Sequence, residues 1–392
     1  MANTPLTMTA VTREILRVAH EKLSFIGCTE RQYDSSYGKT GAKIGDTLKV
    51  RLPNKYAVRT GKDMDVQDTT ESSVSLVVST QKGVDIAFSS AEMALELDDY
   101  SSRVIKPAVS ILTSNLESTM MASVTKDIYN HVGTAGTAPT FLQIAQAKAK
   151  LNQNLAPAGD RYIHMDSVDM VAAVGELKGL FHDSKEVAKQ YRDGIVGRAA
   201  GLDWYENDRI YRHATGADVA GAINDTPADT ESSLVFDGMT AAPTVGSIFT
   251  IAGVLAVHPE TKQAYSHEQQ FVVTSATTPT TTGWSFDPPL YLAGVNQNID
   301  HLPSDNDVVT FVGTASATEA QHLVFHKETF AFITADLPLP SNVEGSRENF
   351  EGLSIRLLKG FDFKSDVEAI RLDILYGFKT IRPEWACRMY GS

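Results

Sequence analysis

Glycines at 194, 197 and 201 are spaced GxxGxxxG. A dinucleotide site needs GxGxxG opening a helix, and a phosphate loop ends in Lys-Ser/Thr, so this spacing offers neither cradle and reads as a turn entering a strand at Leu202. His322 and His326 stand four apart, the helical spacing of two zinc ligands, but no HExxH glutamate lies between them and the segment has a strand pattern. Ser123 and Lys126 have the SxxK spacing of serine acyl-transferases without the SDN and KTG companions that complete such a site. No GxSxG elbow occurs, and Cys28 and Cys387 lie at opposite ends of the chain without metal-type spacing. Among 48 acidic residues a pair of carboxylates can always be found, so pairing alone identifies no acid and base. The expectation is no enzyme, no catalytic or metal-binding residue and no cofactor.

The elements that would have to position such residues give more. The net charge of -13 opposes a protein that grips nucleic acid by neutralising phosphates. That charge is concentrated. Between Gly216 and Glu319 a single basic residue, Lys262, faces twelve acids, so nearly all of the excess sits in about a quarter of the chain, with the Thr-rich stretch Thr274 to Thr282 inside it. Such a step in composition marks an inserted module. Its short alternating runs, Ser232 to Phe236, Ser247 to Ala252, Gln270 to Val273 and Val308 to Val312, predict a small β-barrel or sandwich. No apolar run reaches 18 residues, which excludes a spanning helix, and the opening MANTPLTMTA lacks the pattern of an export leader, so synthesis in the cytosol is expected.

Elsewhere the periods of hydrophobicity alternate between helix and strand. Val11, Ile15, Val18 and Leu23 share one helical face, with Arg13, Glu14, Arg17 and Glu21 off it, which predicts an amphipathic N-terminal arm. Leu48, Val50 and Leu52, then Val74, Leu76 and Val78, alternate as the two strands of a long hairpin that Val84, Ile86 and Phe88 extend. The loop between the strands, from Pro53 to Ser72, is long and mixed in charge, with Lys55, Arg59, Lys62, Asp63, Asp65, Asp68 and Glu71; loops of this length are commonly functional or disordered. Ile105, Val109, Leu112, Leu116, Met120 and Ile128 predict a helix from about Pro107 to His131, roughly 37 Å long at 1.5 Å per residue. Helices at Phe141 to Gln153, Ser167 to Leu180 and Lys185 to Arg192, a strand at Tyr162 to Met165, and late strands around Leu323 to Thr334, Leu353 to Leu357 and Ile370 to Ile374 complete an α+β chain. A charged two-stranded ribbon is marginal by itself, so ribbon and arm both imply a subunit that completes itself in an assembly.

This order of arm, hairpin, long helix, mixed domain and returning strands resembles the major capsid proteins of tailed bacteriophages, the Hong Kong 97 fold. The likeness is carried by Gly194-Ile-Val-Gly-Arg-Ala-Ala-Gly-Leu-Asp-Trp-Tyr-Glu-Asn207, by Leu323-Val-Phe-His-Lys-Glu-Thr-Phe-Ala-Phe332 with the Leu-Pro-Leu-Pro stretch after it, and by Leu375-Tyr-Gly-Phe-Lys-Thr-Ile-Arg-Pro-Glu384. Gly246-Ser-Ile-Phe-Thr-Ile-Ala-Gly253 resembles a strand of the insertion domain found in podovirus coat proteins. The resemblance divides the chain into an N-terminal arm (1–43), an extended loop (44–90), a peripheral domain with a spine helix (91–137), an axial domain (138–215), an inserted β-barrel (216–319), an axial return (320–350) and peripheral return strands (351–392).

What the resemblance implies is a structural protein. Copies would form the hexamers and pentamers of an icosahedral virion shell around double-stranded DNA, without sequence-specific binding, in the host cytoplasm, with scaffolding and portal proteins as partners and no membrane. The extended loop (Lys55, Arg59, Lys62, Asp63, Asp65, Asp68, Glu71) and the arm (Arg13, Glu14, Arg17) would make the contacts between subunits. Some relatives weld their shells through a loop lysine and a late asparagine; Lys55 and Lys62 could donate, but no asparagine follows Asn349, so no cross-link is expected. A second reading makes the insert a receptor- or glycan-binding module whose platform would be Phe249, Tyr265, Phe271, Trp284, Phe286 and Tyr291.

Overall fold

The computed structural model describes residues 8–31, 47–59, 61–64, 66, 71–88, 104–177, 197–275, 284–350, 352–362 and 367–392. Asp65, Asp68, Gly194, the Lys185 to Arg192 pattern and most of the Thr-rich stretch lie outside them. The chain forms two compact units, one of residues 1–52, 72–120 and 330–381, the other of residues 53–71, 121–329 and 382–392.

The first unit is built on an antiparallel sheet. Phe330–Ala335, Val367–Thr380, Leu353–Asp362 and Glu344–Phe350 pair in that order, and Thr80–Phe88 joins Val367–Thr380 with Ile86 opposite Ile370 and Val84 opposite Leu372. Helix α1 (Met8–Lys22) and helix α2 (Lys106–Val124) supply Val11, Ile15, Ala108 and Val109 to an apolar core shared with Ile86, Leu357, Ile370 and Leu372. The periodicity of α1 thus names the correct face, but not its partner: the helix expected to wait for a neighbouring subunit lies on its own sheet. Each Leu, Ile or Val buried in this way contributes roughly 1.5–3 kcal/mol, enough to hold a short helix that would melt in isolation.

The ribbon is corrected in the same sense. Thr47–Arg51 pairs with Ser73–Val77, with Leu48 opposite Leu76 and Val50 opposite Val74. Its apolar face packs on Ala331, Ile333, Ala335 and Leu375 of the same unit. The approach is close enough that a Cβ on Gly377 would collide with the Val77 carbonyl. The returning strand also breaks after Val77, so that Thr80–Phe88 leaves the ribbon for the larger sheet. Only the loop beyond the ribbon, closed at its base by the Leu52 amide on the Ser72 carbonyl at 2.9 Å, is left without a strand partner among the described residues.

Helix α2 is shorter than its periodicity predicts. Pro107 sits in its first turn as expected, but the helix stops at Val124, a 3-10 turn covers Thr125–Asp127, and Ile128 is extended at φ -89° and ψ 123°. The cause is tertiary. His131–Val132 pairs in parallel with Arg388–Met389, and the carbonyls of Ile128 and Asn130 accept from the Arg388 side chain and backbone amide, so these residues cannot continue the helical ladder.

In the second unit a mixed sheet runs His131–Val132, Ala386–Tyr390, Thr318–His326, Arg161–Met165, Leu202–Glu206 and Arg198–Ala199. Helix α3 (Phe141–Gln153), opened by a Thr140–Gln143 capping box, and helix α4 (Ser167–Leu177) bury Ile144, Ala147, Leu151 and Ala173 against Ile163, Met165, Val324 and Met389. The glycine run does backbone work here. Ala199 pairs with Leu202 across Ala200 and Gly201, whose φ angles of +53° and +76° make a primed hairpin turn.

A further sheet in the second unit orders its strands Ser233–Leu234, Trp284–Asp287, Ala264–Ser275, Ile248–Val257, Val308–Phe311, Ala220–Ile223 and Phe236–Asp237. The two ends of that order are the two halves of one segment. They meet at Val235, whose carbonyl accepts from the Asn224 amide at 2.9 Å. Phe249, Phe271, Phe286 and Phe311 fill the interior, and Phe236 stacks on Trp284 at 3.9 Å between ring centroids.

Candidate assembly surface

The motifs with catalytic or metal-binding spacing are dispersed by the fold. His322 and His326 point to one side of Thr318–His326, but four residues along a strand separate them by about 13 Å, too far to share an ion. His322 is instead paired with Asp169 at 2.7 Å, both fully buried, while His326 packs edge-on against Trp385. The His322 Nδ1 accepts from the Asp166 amide at 3.3 Å, so Nε2 carries the proton donated to Asp169. Ser392 completes the group, donating from Oγ to Asp169 Oδ1 at 2.6 Å and from its amide to Oδ2 at 3.0 Å.

Serine, histidine and aspartate therefore meet, but the hydroxyl bonds the carboxylate and not the imidazole. No base takes its proton, and the cluster fixes backbone instead of activating a nucleophile. Burial acts to raise the Asp169 pKa, and the hydrogen bonds from His322 and Ser392 outweigh it, holding the group at about 2. Ser123 is exposed, and Lys126 lies over the Tyr211 ring at 5.3 Å, so the SxxK pair does not converge. Burial pushes the Cys387 thiol up to about 12, which leaves it inert. Among the described residues no group of three His, Cys, Asp or Glu could hold a metal ion, and no helix is long and apolar enough to cross a membrane.

The surface that stands out is the loop. Lys55, Arg59, Lys62, Asp63 and Glu71 are all exposed. Arg59 donates to the Asp63 carbonyl at 2.7 Å and to the Gly61 carbonyl, folding the tip around Gly61 at φ +102°. The root lies against its own unit, where the Lys55 charge adds to burial in lowering the Lys262 pKa. Between these charges stand four apolar side chains that the sequence reading passed over: Tyr56, Val58, Met64 and Val66, at 64%, 96%, 83% and 75% exposure. They fall as two pairs two residues apart, Tyr56 with Val58 and Met64 with Val66, runs too short to mark a strand or to say that the side chains face solvent.

The arm residues have partners within the chain. Arg17 bonds Glu14 at 2.7 Å and approaches Glu21 at 3.5 Å, while Arg13 reaches Glu348 at 3.7 Å. Of the six aromatics offered as a ligand platform, Phe249, Phe271, Trp284 and Phe286 are buried and belong to the core; Tyr265 and Tyr291 are half-buried.

A seam joins the acidic sheet to the rest of its unit. The fully buried Arg388 donates from Nη1 to the Gly246 carbonyl at 2.8 Å and from Nε and Nη2 to the Ile128 carbonyl at 2.9 and 2.6 Å. Gln270 brackets His131, its Oε1 accepting from the His131 amide at 2.9 Å and its Nε2 lying 2.6 Å from Nδ1. His213 meets Ser247 Oγ at 3.0 Å, and the Tyr390 hydroxyl donates to the Val312 carbonyl at 3.2 Å. The paired residues lie from 34 to 260 positions apart, which is why no local motif announces them.

Comparison with solved structures finds low-identity likenesses over most of the chain. A chain from Mycobacterium phage Che8 is 12% identical, with 94% of this chain and 90% of that one covered and a TM-score of 0.45. The capsid of Ralstonia phage GP4 is 7% identical, with 89% and 85% covered and a TM-score of 0.44. The capsid of Cyanophage P-SCSP1u is 10% identical, with 90% and 84% covered and a TM-score of 0.41. No curated protein matches the sequence. A family model described as P22 coat protein - gene protein 5 matches residues 14–391. With nearly its whole length inside that match, the chain belongs to the P22 coat protein family and is a phage capsid subunit, a structural protein and not an enzyme.

Proposed function

We propose that copies of this chain close into an icosahedral shell of hexamers and pentamers around phage double-stranded DNA, formed in the host cytoplasm on a scaffold and joined by a portal. The observation that carries the contact model is the loop: four large apolar side chains stand in solvent among charges of both signs, beyond a ribbon already anchored to its own sheet. Covering such residues with a second copy removes apolar surface at about 25 cal/mol per Å2, while the charges of Lys55, Arg59, Lys62, Asp63, Asp65, Asp68 and Glu71 set register. Arg13, Glu14 and Arg17 on α1 are the arm's contribution. Each contact is modest, and ring closure multiplies them.

In this reading the first unit is the peripheral domain with α2 as its spine; it takes in Phe330–Ala335 and Glu344–Phe350, expected in the axial return, while Ala386–Tyr390, expected among the peripheral return strands, belongs to the mixed sheet. The mixed sheet with α3 and α4 is the axial domain, and 216–319 is an inserted β-barrel of the Hong Kong 97-like fold. The closing of its strand order on one segment supports the barrel. A charge of -13 suits a container that does not grip its DNA. Negative-stain microscopy of the purified protein, with and without co-expressed neighbouring phage genes, tests the reading. Closed particles are expected, and soluble monomers under every condition would overturn it.

A further inference from the structure

We propose that the seam between residues 216–319 and the rest of their unit is an acid-sensitive latch: protonation of His131 and His213 releases the insert while each part keeps its own core. The argument begins with what surrounds the two imidazoles. His131 is bracketed by Gln270, meets the Tyr390 ring edge-on at 6.0 Å, and feels the charges of Lys150 from α3 and of Arg388 from Ala386–Tyr390. His213 bonds Ser247 Oγ through Nε2 and lies 3.3 Å from the Tyr211 hydroxyl through Nδ1, within the fields of Arg388 and Lys126. Three cations therefore attend the two histidines, and Lys150 also acts on His267 of Ala264–Ser275, which burial first and that charge second lower to about 4. Glu319 stands opposite His213 across the strands, its Oε1 accepting from the Thr314 amide at 3.2 Å and its Oε2 buried without a hydrogen-bond partner, and Asp127 acts on Arg388.

The hydrogen bonding has the same sense. Gln270 uses its oxygen on the His131 amide, which leaves its NH2 to face Nδ1. A proton on Nδ1 would set two donors against each other at 2.6 Å. Burial and the neighbouring cations lower both histidines, to about 3 for His131 and about 4 for His213. In a released seam both would return toward the ordinary value of about 6.5. The released form then binds more protons than the docked form below that pH, so acid favours release. Each histidine shifts the ratio of released to docked forms by up to about tenfold per pH unit.

The parts are able to survive separation, because the insert has its own aromatic core and the remainder has the core of α3, α4 and the mixed sheet. Hydrogen-deuterium exchange on the full chain at pH 7.5 and pH 5, corrected for intrinsic rates, reads the latch. At pH 5, protection at 128–132 should fall at least tenfold, while Ile248–Val257 and Ala264–Ser275 stay protected. Unchanged protection at 128–132, or its loss together with that of the insert strands, overturns the proposal. A chain carrying His131→Gln and His213→Gln, with His267→Gln added so that the third histidine beside Lys150 cannot titrate, should keep its seam at pH 5; loss at the wild-type pH would also overturn it. Should that variant fail to fold, Gln270→Glu gives an independent reading, since a carboxylate beside His131 stabilises the protonated docked form. Release should then move to lower pH, and release at the same or higher pH would contradict the latch.

Discussion

The Phe25 amide donates to Glu117 Oε1 at 2.7 Å, and the Ile26 amide reaches the same oxygen at 3.3 Å, so one fully buried carboxylate on α2 ties down the turn that follows α1. That contact explains why the N-terminal helix belongs to its own unit. Two amides at the start of the 3-10 turn Ile26–Cys28 would be costly to bury unanswered. Glu117→Ala should therefore destabilise the chain by about 2–4 kcal/mol, and Glu117→Gln, which keeps an acceptor, by less. Urea melts of the two variants check the order, and faster proteolysis near Lys22 in Glu117→Ala should accompany it.

Arg388 makes a parallel case in the second unit. Its guanidinium satisfies the carbonyls of Ile128 and Gly246 at once, and a lysine there cannot span both. Arg388→Met should cost about 3 kcal/mol or more, with Arg388→Lys only partly rescuing it. Thermal denaturation at neutral pH is the measurement.

The Asp169–His322–Ser392 group gives a pH signature distinct from that of the seam histidines. With Asp169 held at about 2, below the ordinary carboxylate value, the folded chain binds fewer protons than the unfolded chain between about pH 4 and pH 2. Its stabilising contribution is complete above that window and is lost as pH falls through it. Asp169→Asn should therefore be less stable than wild type at neutral pH, with the gap narrowing toward pH 2 in a series of urea melts.

Charge reversal in the loop separates folding from assembly. Arg59→Glu or Lys62→Glu, and Val58→Asp at a position 96% exposed, should leave the melting temperature of the isolated chain within about 2 °C of wild type while impairing shell formation. Normal particles from all three variants would remove the loop from the subunit interface.

Absence of an asparagine after Asn349 predicts shells held without isopeptide welds. Boiled particles should run on denaturing gels as a single band at the mass of one chain. A ladder of higher bands would show that a different acceptor serves Lys55 or Lys62.

How much of this was legible before the structure depended on whether the cause was local. Helix α3 runs over the residues its period predicts because its cap, Thr140, and its apolar stripe are both local. The acidic composition of 216–319 and its short alternating runs likewise mark a stretch whose strands pair in one sheet. Helix α2 was overextended because the groups that end it, Arg388 and the strand Ala386–Tyr390, lie more than 250 residues away. The amphipathic face of α1 was evident, but an apolar stripe does not say whether its cover is the chain's own sheet or a neighbour. The pairing of Asp169 with His322, 153 residues apart, has no sequence signature, and the alternation of Tyr56 with Val58 and of Met64 with Val66 does not say that these side chains stand in solvent.

Cryo-electron microscopy of assembled particles tests the central claim most directly. The account predicts a closed shell in which the segment from Tyr56 to Val66 is covered by an adjacent copy, with Val58 out of solvent. Particles in which that segment remains bare, or touches only its own chain, would contradict it.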